Sequence, residues 1–186
     1  AAAYAKGFYD DLVMPFRDMK MDNILRADTT LEKLATLKPA FDKHSGKGTL
    51  TAGNSTNLSD GASVALLSSE QWATDNNKEI QAYLVDAQVA AVDFVGGDGL
   101  LMAPAWAVAQ LLKRNNLSLQ DFDFYEIHEA FAAQVLCTLK AWESEQFCKE
   151  KLGMDAALGS IDRSKLNVVG SSLALGHPFA ATGARI

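Results

Sequence analysis

An α/β fold of stacked layers is what this sequence predicts, and three observations predict it. Short apolar, strand-like runs alternate with helix-period segments through the second half of the chain. Two strand-to-helix junctions, Glu126-Ile127-His128-Glu129 and Leu175-Gly176-His177-Pro178, recur in that alternation. The composition, 48% hydrophobic and 22% charged over 186 residues, is enough for a real core.

The elements follow in order. Ala1 to Tyr9 reads as the tail of a helix. Asp28-Thr29-Thr30 offers caps for a short helix from Leu31 to Leu37, stopped by Pro39. After a turn-rich stretch at His44 to Gly48, Thr49 to Thr51 is a short strand and Gly53 to Asn57 a polar loop. Ala62 to Leu67 reads as a buried strand. A helix from Ser69 to Asn76 follows, with a Ser cap and Glu70 in its first turn. Asn76 to Glu79 is the boundary between two halves, and Gln81 to Gln88 is another strand.

Pro104 suits the first position of a helix. Ala105, Val108, Ala109 and Leu112 give that helix one apolar face, and Asn115-Asn116 ends it. Phe122 to Ile127 reads as a strand. Phe131, Val135, Leu139 and Trp142 then recur at helical spacing. Val168 to Leu175 is the last strand, and Pro178 opens the last helix.

Charge and cysteine content narrow the function. With 17 Lys+Arg against 23 Asp+Glu the net charge is −6, which argues against electrostatic nucleic-acid binding. Two cysteines, Cys137 and Cys148, are too few for a disulfide scaffold and fit a reducing compartment. Both sit among apolar neighbours and are expected to be buried, inert thiols. Trp72, Trp106 and Trp142 are expected to pack. The longest weakly polar stretch, Gly99 to Leu112, is shorter than the ~18–20 apolar residues of a membrane span. The opening AAAYAKGFYDD lacks the pattern of a secretory leader.

His128 and His177 are the residues that can carry chemistry. Each is expected just before a helix N-terminus, whose partial positive charge disfavours the imidazolium form. A neutral imidazole can act as a base or donate to a developing oxyanion. The alternative for each is a plain cap. Gly176 permits an unusual backbone angle beside His177. His44 reads as surface. His128-Glu129 lacks H-E-x-x-H spacing, so no metal site is expected, and Gly96-Gly97-Asp98-Gly99 has no Lys-Ser/Thr of a phosphate loop.

Three segments, TLTAGNSTNLSDGASVALLSSE, EIHEAFAAQ and SSLALGHPFAATGARI, occur in the order and approximate spacing of the thiolase family, and LEKLATLKPAFDK resembles the segment that leads into them. The likeness covers nearly the whole chain. His128 stands where many thiolases have Asn. With the insert-like stretch Lys140 to Ser164, this is most similar to the fatty-acid-degrading branch.

The resemblance implies a 3-ketoacyl-CoA thiolase or acetyl-CoA acyltransferase, in which a Cys takes an acyl group and passes it to CoA. It implies a layered αβαβα fold, here incomplete: residues 1–48 as a loop excursion of the N-terminal half, 49–79 as its last strand and helix, and 80–186 as a truncated C-terminal half. By motif position His177 matches the His that activates the nucleophile. His128 matches the Asn/His beside the thioester oxygen. Arg26, Leu37, Phe41, Ala52, Thr56 and Phe131 match the CoA site, with Thr56 replacing a common Ser. No cofactor is implied, since CoA is a substrate. A homodimer or tetramer, a possible hydratase/dehydrogenase partner, and a bacterial cytoplasmic or mitochondrial matrix location are implied.

The family's nucleophilic Cys lies upstream of the matched region, and a second, acid/base Cys lies downstream in a Cys-Gly-Gly-type motif. Neither Cys137 nor Cys148 matches them. The chain therefore resembles a piece of a thiolase, expected to be inactive alone and to expose sheet edges. The alternative is a non-catalytic thiolase-like subunit that holds acyl-CoA or lipid, or serves as a scaffold.

Overall fold

The computed structural model describes all 186 residues. Its organising unit is a pair of helices, α4 (Ala103–Asn115) and α5 (Ala132–Glu143), with α6 (Glu145–Glu150) turned back against α5. Pro104 lies in the first turn of α4, which begins one residue before it. Asn116 ends α4 in the left-handed conformation at φ 53°, which lets the Leu117 N–H reach the Leu112 carbonyl at 3.0 Å. Ser144 ends α5 and caps α6, its hydroxyl accepting from the Phe147 N–H at 3.2 Å.

The apolar faces expected from spacing meet here. Ala105, Ala109 and Leu112 of α4 and Val135, Leu139 and Trp142 of α5 are buried; Val108 and Phe131 are half-buried. Leu119 and Ile161 complete the core, and the rings of Trp106 and Phe147 meet edge to face at 5.2 Å. Cys148 is fully buried, but Cys137 is exposed, contrary to expectation, because it lies on the face of α5 turned from the core. Trp72 is also exposed, at 42%, rather than buried in the core.

The first part of the chain is irregular, with α1 (Ala2–Ala5), α2 (Leu31–Ala35) and α3 (Glu70–Asp75) as its helices. Thr30 caps α2 by accepting from the Lys33 N–H, and Ser69 caps α3 by accepting from the Trp72 N–H, both at 3.2 Å. Tyr9 is buried and donates its hydroxyl to the Val169 carbonyl at 2.8 Å, tying the start of the chain to the site.

The strands differ most from expectation. Ala62–Leu67 and Gln81–Gln88 form neither ladder nor bridge, and Val64 is 94% exposed. A strand exists by virtue of a partner that satisfies its backbone. None runs beside these segments. Sheet-like pairing is present only as single bridges: Phe16 to Met19, Pro39 to Thr51, Ser55 to Phe131, Leu58 to His177 and Tyr125 to Leu166.

The expected strand Val168–Leu175 is instead a turn followed by a helical turn, α7 (Ser172–Leu175). The cause is long-range: Glu129 Oε2 accepts from the Leu173 N–H at 3.0 Å and so caps α7 from a distant segment. The last helix, α8 (Thr182–Arg185), starts four residues later than Pro178, because Ala180 at φ 64° breaks the helical path.

Asn167 extends the Tyr125 bridge with its own side chain. Its Oδ1 accepts from the Ile127 N–H at 2.9 Å, and its Nδ2 donates to the Ile127 carbonyl at 2.9 Å and to Glu129 Oε1 at 2.7 Å. It does so at φ 48°, a region Asn tolerates better than most residues. Asn167→Ala leaves the Ile127 N–H without that partner and is expected to cost about 2–3 kcal/mol. A fall in the urea midpoint with faster hydrogen exchange at the Ile127 amide is the expected result; an unchanged midpoint contradicts it.

Candidate functional site

One short loop builds the site by bonding to two distant segments at once. The Thr56 N–H donates to the Ala130 carbonyl at 2.9 Å, and the Ala132 N–H donates to the Asn54 carbonyl at 3.0 Å. One turn further along, the His177 N–H donates to the Asn57 carbonyl at 2.8 Å. Residues 54–57 thus draw the end of 125–131 and the start of 177–182 together. Gly176 permits this approach: it sits at φ 82°, and a Cβ there would lie 2.5 Å from Ser59 Oγ and 2.8 Å from Ile24 Cδ1.

The outcome is a stacked pair of half-buried imidazoles. The rings of His128 and His177 lie with centroids 3.9 Å apart and planes inclined by 34°. His128 Nδ1 is 2.7 Å from Ser172 Oγ, and His177 Nδ1 is 2.7 Å from Thr182 Oγ1. Thr182 is buried, and its hydroxyl also lies 3.3 Å from the Pro178 carbonyl, which can only accept. If its proton is directed there, Thr182 Oγ1 accepts from His177 Nδ1–H. The Nε2 lone pair of His177 is then free, as a base requires.

The expected cause of neutrality needs correction. Neither ring adjoins a helix N-terminus: α5 begins at Ala132, and His177 follows the end of α7 by two residues. Burial pushes His128 below the ordinary imidazole range, and His177 and the Arg185 guanidinium beside it push the same way. The unfolded chain therefore binds more protons at this residue than the folded chain near and below pH 6.5, the ordinary value. This contribution to stability is fully present above that pH and declines as pH falls through it. The urea midpoint is expected to drop between about pH 7.5 and 5, and less steeply in His128→Gln. A midpoint that rises on acidification in that window contradicts the sign.

The residues matched to the CoA site divide into groups. Thr56 is at the centre, but its hydroxyl donates to the Ser172 carbonyl at 2.6 Å, so it has lone pairs and no proton to offer a ligand. Phe131 and Phe41 meet edge to face at 5.7 Å and 83°, making one wall. Leu37 lines an open hollow of about 510 Å³ with Leu31, Leu34, Pro39 and Thr51. Ala52 is exposed beside that hollow, next to its lining residue Gly53. Arg26 is exposed and joins no ion pair, and no hydrogen bond ties its guanidinium to the imidazole pair.

Sequence reading missed Ser172, Thr182 and Arg185, whose side chains hold the two rings in place. A hydroxyl five residues after His177 is a weak local signal for Thr182. Nothing local points from His128 to Ser172.

A histidine pair at the meeting of three loop segments, set in remnants of sheet pairing and packed helices, defines an α/β protein with an imidazole-based site. The thiolase N-terminal domain model matches residues 1–71, and the thiolase C-terminal domain model matches residues 78–186. The chain belongs to the thiolase family. It is 44% identical over 189 residues to a probable 3-ketoacyl-CoA thiolase of Caenorhabditis elegans, covering 99% of this chain and 41% of the relative. It is 44% identical over 192 residues to the 3-ketoacyl-CoA thiolase of Vibrio cholerae, covering 100% and 43%.

Among solved structures, the Bacillus anthracis acetyl-CoA acetyltransferase superposes with TM-score 0.77 at 38% identity, over 99% of this chain and 43% of that one. The human mitochondrial 3-ketoacyl-CoA thiolase in complex with CoA superposes with TM-score 0.77 at 32% identity, over 99% and 42%. The fold is therefore the thiolase-like α/β fold, and the chain spans about two-fifths of the length of the curated relatives it matches. No helix is long and apolar enough to cross a membrane.

Proposed function

We propose that this chain is the imidazole-bearing part of a 3-ketoacyl-CoA thiolase acting in fatty-acid β-oxidation. The observation that carries the reading is the His128–His177 pair, two rings at 3.9 Å with separate hydroxyl partners. In this reading a Cys thiol from outside these 186 residues gives its proton to His177 Nε2, and its sulfur attacks the 3-keto carbon. The C2–C3 bond breaks, and the acetyl-CoA enolate leaves on taking a proton from the second, acid/base Cys. The thiol of a second CoA then takes the acyl group from sulfur and returns the Cys thiol. His128 faces the thioester oxygen as charge builds on it. The Phe41–Phe131 wall and the hollow beside Leu37 and Ala52 take the CoA arm, and Arg26, unpaired, offers its guanidinium to a phosphate. Thr56 orders the site rather than donating to CoA. CoA is a substrate, and no cofactor is required.

The working assembly is a homodimer or tetramer, with a hydratase/dehydrogenase subunit as a further partner, in a bacterial cytoplasm or a mitochondrial matrix. In this reading residues 1–48 are a loop excursion of the N-terminal half, 49–79 are the last segment of that half, and 80–186 are a truncated C-terminal half. The 186-residue chain alone is expected to give no CoA-dependent cleavage. Cys148 is buried with its thiol directed to the Ala141 and Trp142 carbonyls, and neither Cys148 nor Cys137 hydrogen-bonds to an imidazole. Acetyl-CoA release from 3-ketoacyl-CoA plus CoA is the measurement. Turnover by the purified chain alone overturns the reading.

A further inference from the structure

Ser172 is fully buried at the first position of α7, and its hydroxyl oxygen meets two groups: Arg185 Nη2 at 3.2 Å and His128 Nδ1 at 2.7 Å. The Ser172 carbonyl, a separate acceptor, is occupied by Thr56. A hydroxyl has one proton and two lone pairs, and a guanidinium can only donate. Arg185 therefore takes one lone pair. If His128 also donated from Nδ1–H, it would take the other, and the Ser172 proton would be left buried with no acceptor. That arrangement is costly for a buried polar group. Donation from Ser172 Oγ to an unprotonated His128 Nδ1 gives the hydroxyl proton an acceptor and leaves a lone pair for Arg185 Nη2.

We propose that Ser172 is a positioning residue that holds His128 as the neutral tautomer protonated at Nε2, and that Arg185 aims the Ser172 hydroxyl. The two stacked rings are then opposite tautomers. His177 presents a lone pair at Nε2 and His128 presents an N–H, so one can accept a proton while the other donates a hydrogen bond. The charged and titratable groups acting on His128 reinforce this: His177 and Arg185 both oppose a second positive charge beside them. Protonation of His128 would also force the Ser172 proton away from its acceptor. The catalytic consequence rests on the thiolase reading above; the tautomer does not.

The test is long-range proton–nitrogen correlation NMR on the chain labelled at its histidines, at a pH above the imidazole range. Wild type is expected to show His128 with an acceptor-type Nδ1 and a protonated Nε2, and His177 with the reverse. Ser172→Ala is expected to lose the single His128 signature and give a mixture, while Ser172→Thr keeps it. Arg185→Met, which leaves the hydroxyl free to turn, is expected to broaden the preference without reversing it. A wild-type His128 protonated at Nδ1 overturns the proposal, and so does a folded Ser172→Ala chain with its tautomer unchanged. The wild-type spectrum decides even where a variant does not fold. None of these outcomes depends on CoA cleavage, so they are separable from a failure of the thiolase reading.

Discussion

His128→Ala, in a thiolase that carries this segment together with its cysteines, is expected to lower kcat by about 10²–10³-fold, or about 2.7–4 kcal/mol of transition-state stabilisation. His128 lies against His177, is held neutral chiefly by burial, and has its Nδ1 engaged by Ser172, so Nε2 is the atom left to act. A donor fixed before the reaction needs no reorganisation as charge appears on the thioester oxygen, which is why its loss is felt in kcat. The KM for CoA is expected to move little, because His128 does not line the Leu37 hollow and its ring stacks on His177 rather than joining the Phe41–Phe131 wall. Steady-state thiolysis measures both constants. An unchanged kcat removes His128 from the chemistry.

Trp142→Ala is expected to destabilise the chain by about 3–5 kcal/mol, the range for a large aromatic removed from a packed interior. Trp142 is 3% exposed and lies in one cluster with Ala105, Leu112, Val135 and Leu139. Its indole N–H donates to the Ala105 carbonyl at 3.4 Å, and its own carbonyl accepts from the Gly159 N–H at 3.1 Å. The substitution therefore opens a cavity at the join of α4 and α5. A domain of ordinary stability has about 5–15 kcal/mol in all, so most of the reserve is removed. Urea unfolding reads the effect, and a midpoint within error of wild type contradicts it. Because α5 begins just beyond His128, loss of this packing is also expected to loosen the imidazole pair.

Much of the helical core was legible in the residues. The apolar recurrence from Ala105 to Leu112 and from Val135 to Trp142 is a local property, since side chains three and four apart share a face. The caps at Thr30 and Ser69 are equally local. The strands were not legible as structure. Ala62–Leu67 has the apolar character of a strand, but pairing depends on what lies beside it. Val168–Leu175 has strand-like residues and yet closes into a helical turn, because Glu129 accepts from the Leu173 N–H from across the site.

The residues by themselves determined the family likeness, the two histidines worth following, and the glycine beside one of them, since these rest on identity and short spacing. The tertiary structure alone decided that the rings stack, that burial rather than a helix terminus lowers the pKa of His128, and that Ser172 and Thr182 meet their Nδ1 atoms with Arg185 on Ser172. The reason is distance along the chain: a hydrogen bond between a loop and a helix far apart in sequence leaves no periodic trace, and exists only once the backbone has brought them together.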